Sequence, residues 1–174
     1  TVPPHNLGEV CDASIYLINH PQATVEDLMK FIKGPDFPTG GAIFDKKEII
    51  QAYATGKGKV ITRALAEIEE GQSGAYRIII RKIPYLVNKA NLIIKIAEGV
   101  KSKRLEGIRD IRDESDKEED VRIVIELKKD AFPRKVLNRL YATTDLQKTF
   151  HINMLALVDE GRQPKVLTLK EVLE

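Results

Sequence analysis

The side chains able to do chemistry in this sequence are few, and most are badly spaced for it. Three histidines, His5, His20 and His151, and one cysteine, Cys11, are scattered along the chain. Their separations argue against a zinc site, which draws ligands from tight Cys/His pairs. The run Asp113-Glu114-Ser115-Asp116, followed by Glu118, Glu119 and Asp120, is acidic enough for a divalent cation. It lacks the spacing and the turn glycine of an EF-hand loop. Arg109, Arg112, Lys117 and Arg122 lie beside it, so a solvated, salt-linked turn is the expectation. Lys57-Gly58-Lys59, with Arg63 beyond, contains no Gly-Lys-Ser/Thr and so no phosphate-binding P-loop. Alone it reads equally as a phosphate-contacting strand start or as a solvated turn. Lys101, Lys103 and Arg104 close a predicted helix, where cations suit the helix dipole. No nucleophile–base pair stands out, and Tyr16, Tyr53, Tyr76, Tyr85 and Tyr141 fall in contexts that suggest packing.

The elements that must position these groups follow from periodicity and punctuation. Asn6 caps a helix to His20, with Leu7, Val10, Ile15 and Ile18 as its apolar positions. Thr24 to Asp27 resembles a capping box, opening a short helix with Leu28, Phe31 and Ile32. The Pro/Gly-rich stretch 34–41 is a loop and a boundary. A short strand at 42–44 and a helix over 47–55 follow, closed by Gly56. A long strand, 59–70, turns at Gly71-Gln72-Ser73-Gly74 into a partner over 76–83, its register left open. A helix spans 88–104, a strand holding Ile108 and Ile111 comes next, and Val121 to Lys128 alternate as a half-buried strand. A helix over 133–143, a strand over 150–158 and a return at 165–167 complete the pattern. The order predicts an α+β fold: a largely antiparallel sheet with helices layered on one face, preceded by a short helical N-terminal segment. The division expected is 1–37 for that segment and 38–174 for the α+β domain.

Of the 174 residues, 43% are hydrophobic and 31% charged, which fits a packed globular domain and excludes a disordered chain. No apolar run is long enough to span a bilayer, so no membrane partner is expected, and a lone cysteine suits a reducing, cytoplasmic setting. Net charge is +2, from 28 basic and 26 acidic residues, so any nucleic-acid footprint must come from local clustering. The opening Thr1-Val2-Pro3-Pro4 and the ending Leu173-Glu174 suggest a piece of a longer polypeptide.

Six strings in order then point to one family. They are Pro3-Pro4-His5-Asn6-Leu7; Gly34-Pro35-Asp36-Phe37-Pro38-Thr39; Tyr53 to Val60, with Thr55-Gly56-Lys57-Gly58-Lys59; Ile83-Pro84-Tyr85-Leu86-Val87-Asn88-Lys89; Arg112-Asp113-Glu114-Ser115-Asp116; and Phe150-His151-Ile152-Asn153-Met154. Together they resemble the tower region of the A subunits of bacterial type IIA DNA topoisomerases, DNA gyrase and topoisomerase IV. The resemblance implies an ATP-dependent enzyme that passes one duplex through a double-strand break in another. Its implied partners are double-stranded DNA, the B subunit of gyrase, and a second copy of the A subunit in a heterotetramer. Mg²⁺ and ATP belong to the B subunit, so no cofactor and no metal are expected in this stretch. The family's cleaving tyrosine follows an arginine on an upstream domain; no tyrosine here does, so no catalytic residue is expected. The residue before Pro-Pro-His-Asn wedges between base pairs in the family, and here it is Val2. Lys57, Lys59 and Arg63 are the implied phosphate contacts, with Arg77 and Arg81 across the hairpin as weaker additions. The competing expectations are a stand-alone nucleic-acid-binding α+β domain and a protein-binding scaffold.

Overall fold

The computed structural model describes residues 1–71 and 73–174. Its elements are α1 (Leu7–Asn19), α2 (Val25–Leu28), β1 (Ala42–Phe44), α3 (Lys46–Thr55), β2 (Lys57–Arg63), β3 (Leu65–Glu70), β4 (Tyr76–Lys82), α4 (Lys89–Lys101), β5 (Ile108–Asp113), β6 (Ile123–Leu127), α5 (Pro133–Thr143), β7 (Gln147–Asn153), β8 (Leu155–Val158), β9 (Gln163–Val166) and α6 (Leu169–Leu173). The fold is α+β with antiparallel sheets, as expected. The strands are shared among three ladders: β1-β2-β7, β3-β4-β6-β5 and β8-β9.

The chain forms two compact units. One holds Thr1–Pro38, Ile43–Ile61 and Thr149–Glu174; the other holds Thr39–Ala42 and Thr62–Lys148. The division at 37/38 read from the loop assumes a single crossing. The chain instead returns to the first unit twice, so residues 43–61 and 149–174 belong with the N-terminal helices.

In the second unit, strand alternation sorts the side chains. Ile78 opposes Ile125 and Ile80 opposes Ile123, all fully buried. They share one core with Leu92 and Ile96 of α4 and Val136 and Leu140 of α5, so both helices cover the same sheet face. The hairpin register is Glu67 to Ile79 and Glu69 to Arg77, which turns Ala66 and Ile68 inward and the glutamates outward. A register shift after Leu65 makes this possible, a β-bulge that the sequence pattern does not announce. Gly71 and Gly74 take part in the turn through Gly71 N–H to Ala75 O (2.7 Å) and Gly74 N–H to Gly71 O (3.1 Å); Gln72 of the expected turn lies outside the described residues.

In the first unit, Ala13, Leu17, Leu28, Ile32, Ala52, Tyr53, Val60, Ile152 and Met154 form the core. Asn6 caps α1 by accepting from Glu9 N–H at 3.1 Å, and the Thr24–Asp27 box closes in both directions. α1 forms where foreseen, but Leu7, Ile15 and Ile18 are exposed, while Ala13 and Leu17 face the core. Helical spacing identifies a helix without saying which stripe its neighbours cover. Two long strands are also corrected. The run 59–70 breaks at Ala64, whose N–H donates to Leu146 O (2.8 Å), and 150–158 breaks at Met154, whose N–H donates to Gly56 O (2.8 Å). Each break residue is buried. Among the described residues no helix is long and apolar enough to cross a membrane.

Because Ile80 is wholly enclosed, Ile80→Ala should lower unfolding free energy by about 2–5 kcal/mol, read from urea melts. Ile94→Ala, on the exposed side of α4, should change it by less than roughly 0.5 kcal/mol.

Candidate nucleic-acid interface

Two glycines explain the geometry of the basic stretch. Gly56 ends α3 in the left-handed region (φ 76°), and a Cβ there would strike Leu167 O and Val166 Cγ1. Gly58 sits against α3, where a Cβ would meet Ala52 Cβ at 2.6 Å. The glycines therefore seat the start of β2 against its own unit, and the alternating lysines are left outside. Lys57 and Lys59 are both exposed, and among the described residues neither makes an ion pair. The adjacent Val60 is fully buried, which fixes the strand's orientation.

Val2 belongs to the same unit and is not loose. Thr1 O accepts from Asn153 N–H (3.1 Å) and Pro4 O accepts from Asp36 N–H (2.9 Å), so both sides of Val2 are pinned by backbone bonds. Pro3 is buried, while Val2 is 50% exposed. His5 completes the anchor. Its Nδ1 lies 2.9 Å from Pro3 O, which can only accept, so Nδ1–H donates. Nε2 of the neutral ring then accepts from the Tyr53 hydroxyl at 2.6 Å. Burial depresses the His5 pKa below its usual value, against opposing contributions from Pro3, Glu9 and Asp36, and burial raises that of Tyr53. The sequence marks His5 only as a surface or structural histidine; its pairing with Tyr53 spans 48 residues and leaves no local signal.

The other sequence candidates lie in the second unit, and their cations are engaged. Arg63 Nε and Nη2 donate to Gln147 Oε1 (2.9 and 2.6 Å), and the guanidinium stands 4.6 Å from the Tyr141 ring centroid. Tyr141 donates in turn to Ala64 O at 3.1 Å, and burial raises its pKa although Arg63 opposes this. Arg77 binds Glu69 through Nε and Nη2. Arg81 bridges Glu67 (3.0 Å) and Glu119 (2.9 Å). Arg112 adds Asp110, Glu114 and Glu126, and Arg122 adds Glu114 and Glu119. Beneath this ionic layer Ile79 and Val124 are fully buried on the face away from α4 and α5. The layer covers them with its aliphatic stems.

The acidic turn is hydrogen-bonded into itself. Asp113 accepts from Ser115 and pairs with Lys89 (3.1 Å), and Asp116 accepts from the Glu118 and Glu119 amides (2.8 and 2.7 Å). These bonds hold both carboxyls below their ordinary pKa. Among the described residues no three His, Cys, Asp or Glu side chains converge as a metal site.

The whole of this chain, residues 1–174, matches the family model for the A subunit of DNA gyrase and topoisomerase IV. The chain belongs to that family. It is 56% identical over 173 residues to the DNA gyrase A subunit of Clostridium acetobutylicum, covering 99% of this chain and 20% of that protein. It is 53% identical over 175 residues to the DNA gyrase A subunit of Pseudomonas aeruginosa, covering 99% and 19%. The chain thus spans about a fifth of the length of the curated relatives it matches. In this gyrase/topoisomerase IV member, family-like strings fall on the anchor of Val2, on the glycine-seated start of β2 and on the acidic turn.

A pH effect follows from His5. An unfolded histidine titrates near about 6.5 and the folded one lower, so the folded state binds fewer protons between those values. Its contribution is complete above about 6.5 and fades as pH falls through the folded pKa. Thermal midpoints should therefore drop from pH 7 to pH 5, and His5→Gln should flatten that slope. The lowered carboxyls, such as Asp27 at about 2, act only at more acidic pH.

Proposed function

We propose that this chain is the tower region of a DNA gyrase A subunit and that it grips and bends the gate duplex. The observation that carries the reading is the pinning of Val2: a half-exposed aliphatic side chain held on both sides by backbone hydrogen bonds in a family of DNA enzymes. Such a side chain fills an opened base step without demanding hydrogen bonds. Valine is shorter than the isoleucine usual in the family, so the wedge is shallower.

Lys57 and Lys59 supply phosphate contacts because, among the described residues, neither charge has a carboxylate partner. Sharp bending of a 20–30 bp duplex costs on the order of 1–6 kcal/mol, which added phosphate contacts offset. Contacts of this kind position DNA without reading its sequence. Arg63, Arg77 and Arg81 are weaker members of the set, since binding phosphate means giving up Gln147, Glu69, Glu67 or Glu119. In the whole enzyme, cleavage belongs to a tyrosine outside this chain. Mg²⁺ and ATP are handled by the B subunit, and the cytoplasmic enzyme is built from two A and two B subunits. The identities to gyrase A subunits favour gyrase over topoisomerase IV.

In the full-length enzyme, with the B partner present, Val2→Ala should reduce duplex bending measured by fluorescence transfer between end-labelled arms, while the cleavage chemistry persists. Unchanged bending removes Val2 as the wedge. The pair Lys57→Ala and Lys59→Ala should lower the log–log salt slope of duplex binding by nearly two, about 0.9 per phosphate contact. An unchanged slope favours a protein-binding scaffold.

A further inference from the structure

The second unit holds a groove whose charge is arranged quite differently from the ionic sheet face. Lys103 and Arg104, beyond the end of α4, line it together with Lys128, after β6, and with Lys135 and Arg139 of α5. All five are exposed. Among the described residues none of the five makes an ion pair, whereas Arg77, Arg81, Arg112 and Arg122 of the same unit are all paired with carboxylates. Glu106 and Asp130 also line the groove, leaving an excess of three positive charges among its lining residues. Lys135 and Arg139 are successive on one helix face, about 6 Å apart along the axis.

We infer that this groove binds the phosphate backbone of duplex DNA, as a contact additional to Val2, Lys57 and Lys59. The inference rests on the reading that the chain works on duplex DNA, but it uses different residues in a different unit. The charge of the lining favours this ligand, and an acidic peptide is the alternative that the experiment separates. The cations come from three separate segments, the end of α4, the stretch after β6 and α5, which suits an extended polyanion. Asn138, also in the lining, is a further side chain of the kind that contacts phosphate oxygens.

The test measures binding of the chain to a 30 bp duplex by fluorescence anisotropy across a salt series. All substituted side chains are exposed, so the variants should fold, and far-ultraviolet circular dichroism verifies this. The triple variant Lys128→Ala, Lys135→Ala, Arg139→Ala should lower the salt slope by about 2–3. A control with equal charge loss outside the groove, Lys46→Ala, Lys47→Ala, Lys117→Ala, should lower it by less than about one. Equal slopes for the groove variant and the parent overturn the inference. So does a poly-glutamate peptide that competes with the duplex and loses more affinity than the duplex does in the groove variant. Lys57→Ala with Lys59→Ala, run alongside, separates the two ideas. A loss there with none in the groove variant leaves the proposed function standing and removes the groove, and the reverse result does the opposite.

Discussion

The hydrogen bond between the Tyr53 hydroxyl and His5 is the contact on which the candidate DNA face depends. Tyr53 is wholly enclosed, so its hydroxyl needs a partner inside the protein, and the neutral imidazole supplies one. The same ring spends its other nitrogen on Pro3 O, which leaves the Pro-Pro turn little freedom. With Asn153 and Asp36 holding the flanking carbonyls, Val2 is presented by a structure that does not need to be ordered by the ligand. Preorganisation matters for the wedge role proposed for Val2, because any entropy spent fixing the side chain on binding subtracts from the energy available to open a base step. Helix α3 carries Tyr53 inward and, through Ala52, meets Gly58 between the exposed lysines.

Charge in this protein is divided by use. Net charge is nearly balanced, yet the balance is not uniform over the surface. On the outer face of the four-stranded sheet, Arg77, Arg81, Arg112 and Arg122 are spread among Glu67, Glu69, Asp110, Glu114, Glu119 and Glu126. Exposed pairs of this sort each contribute little, but as a layer they shield Ile79 and Val124 from water. A guanidinium so engaged is poorly suited to bind phosphate, since a new partner must first displace an old one. Among the described residues, Lys57, Lys59 and the groove cations make no ion pair. Pairing, more than the number of basic residues, separates the cations of the sheet face from those proposed to meet a polyanion.

Much of this was legible in the linear sequence. Caps at Asn6, Thr24, Asn88 and Gly56, and the alternation through Val121–Lys128, depend on neighbours within a few residues, so local pattern determined the elements and the α+β class. The ordered strings from Pro3 to Met154 were enough to identify the family, and they singled out Val2, Lys57 and Lys59. Only the tertiary structure decided which of the named cations remain unpaired. Arg81 meets Glu119 across 38 positions and Arg63 meets Gln147 across 84, and no periodicity reports such distances. The strand breaks at Ala64 and Met154, the bulge after Leu65 and the side of α1 that is covered belong to the same class of fact. Each is set by competition among hydrogen-bond partners and packing surfaces that become neighbours only when the chain has folded. Local preference can name an element, but it does not carry the identity of what that element will touch.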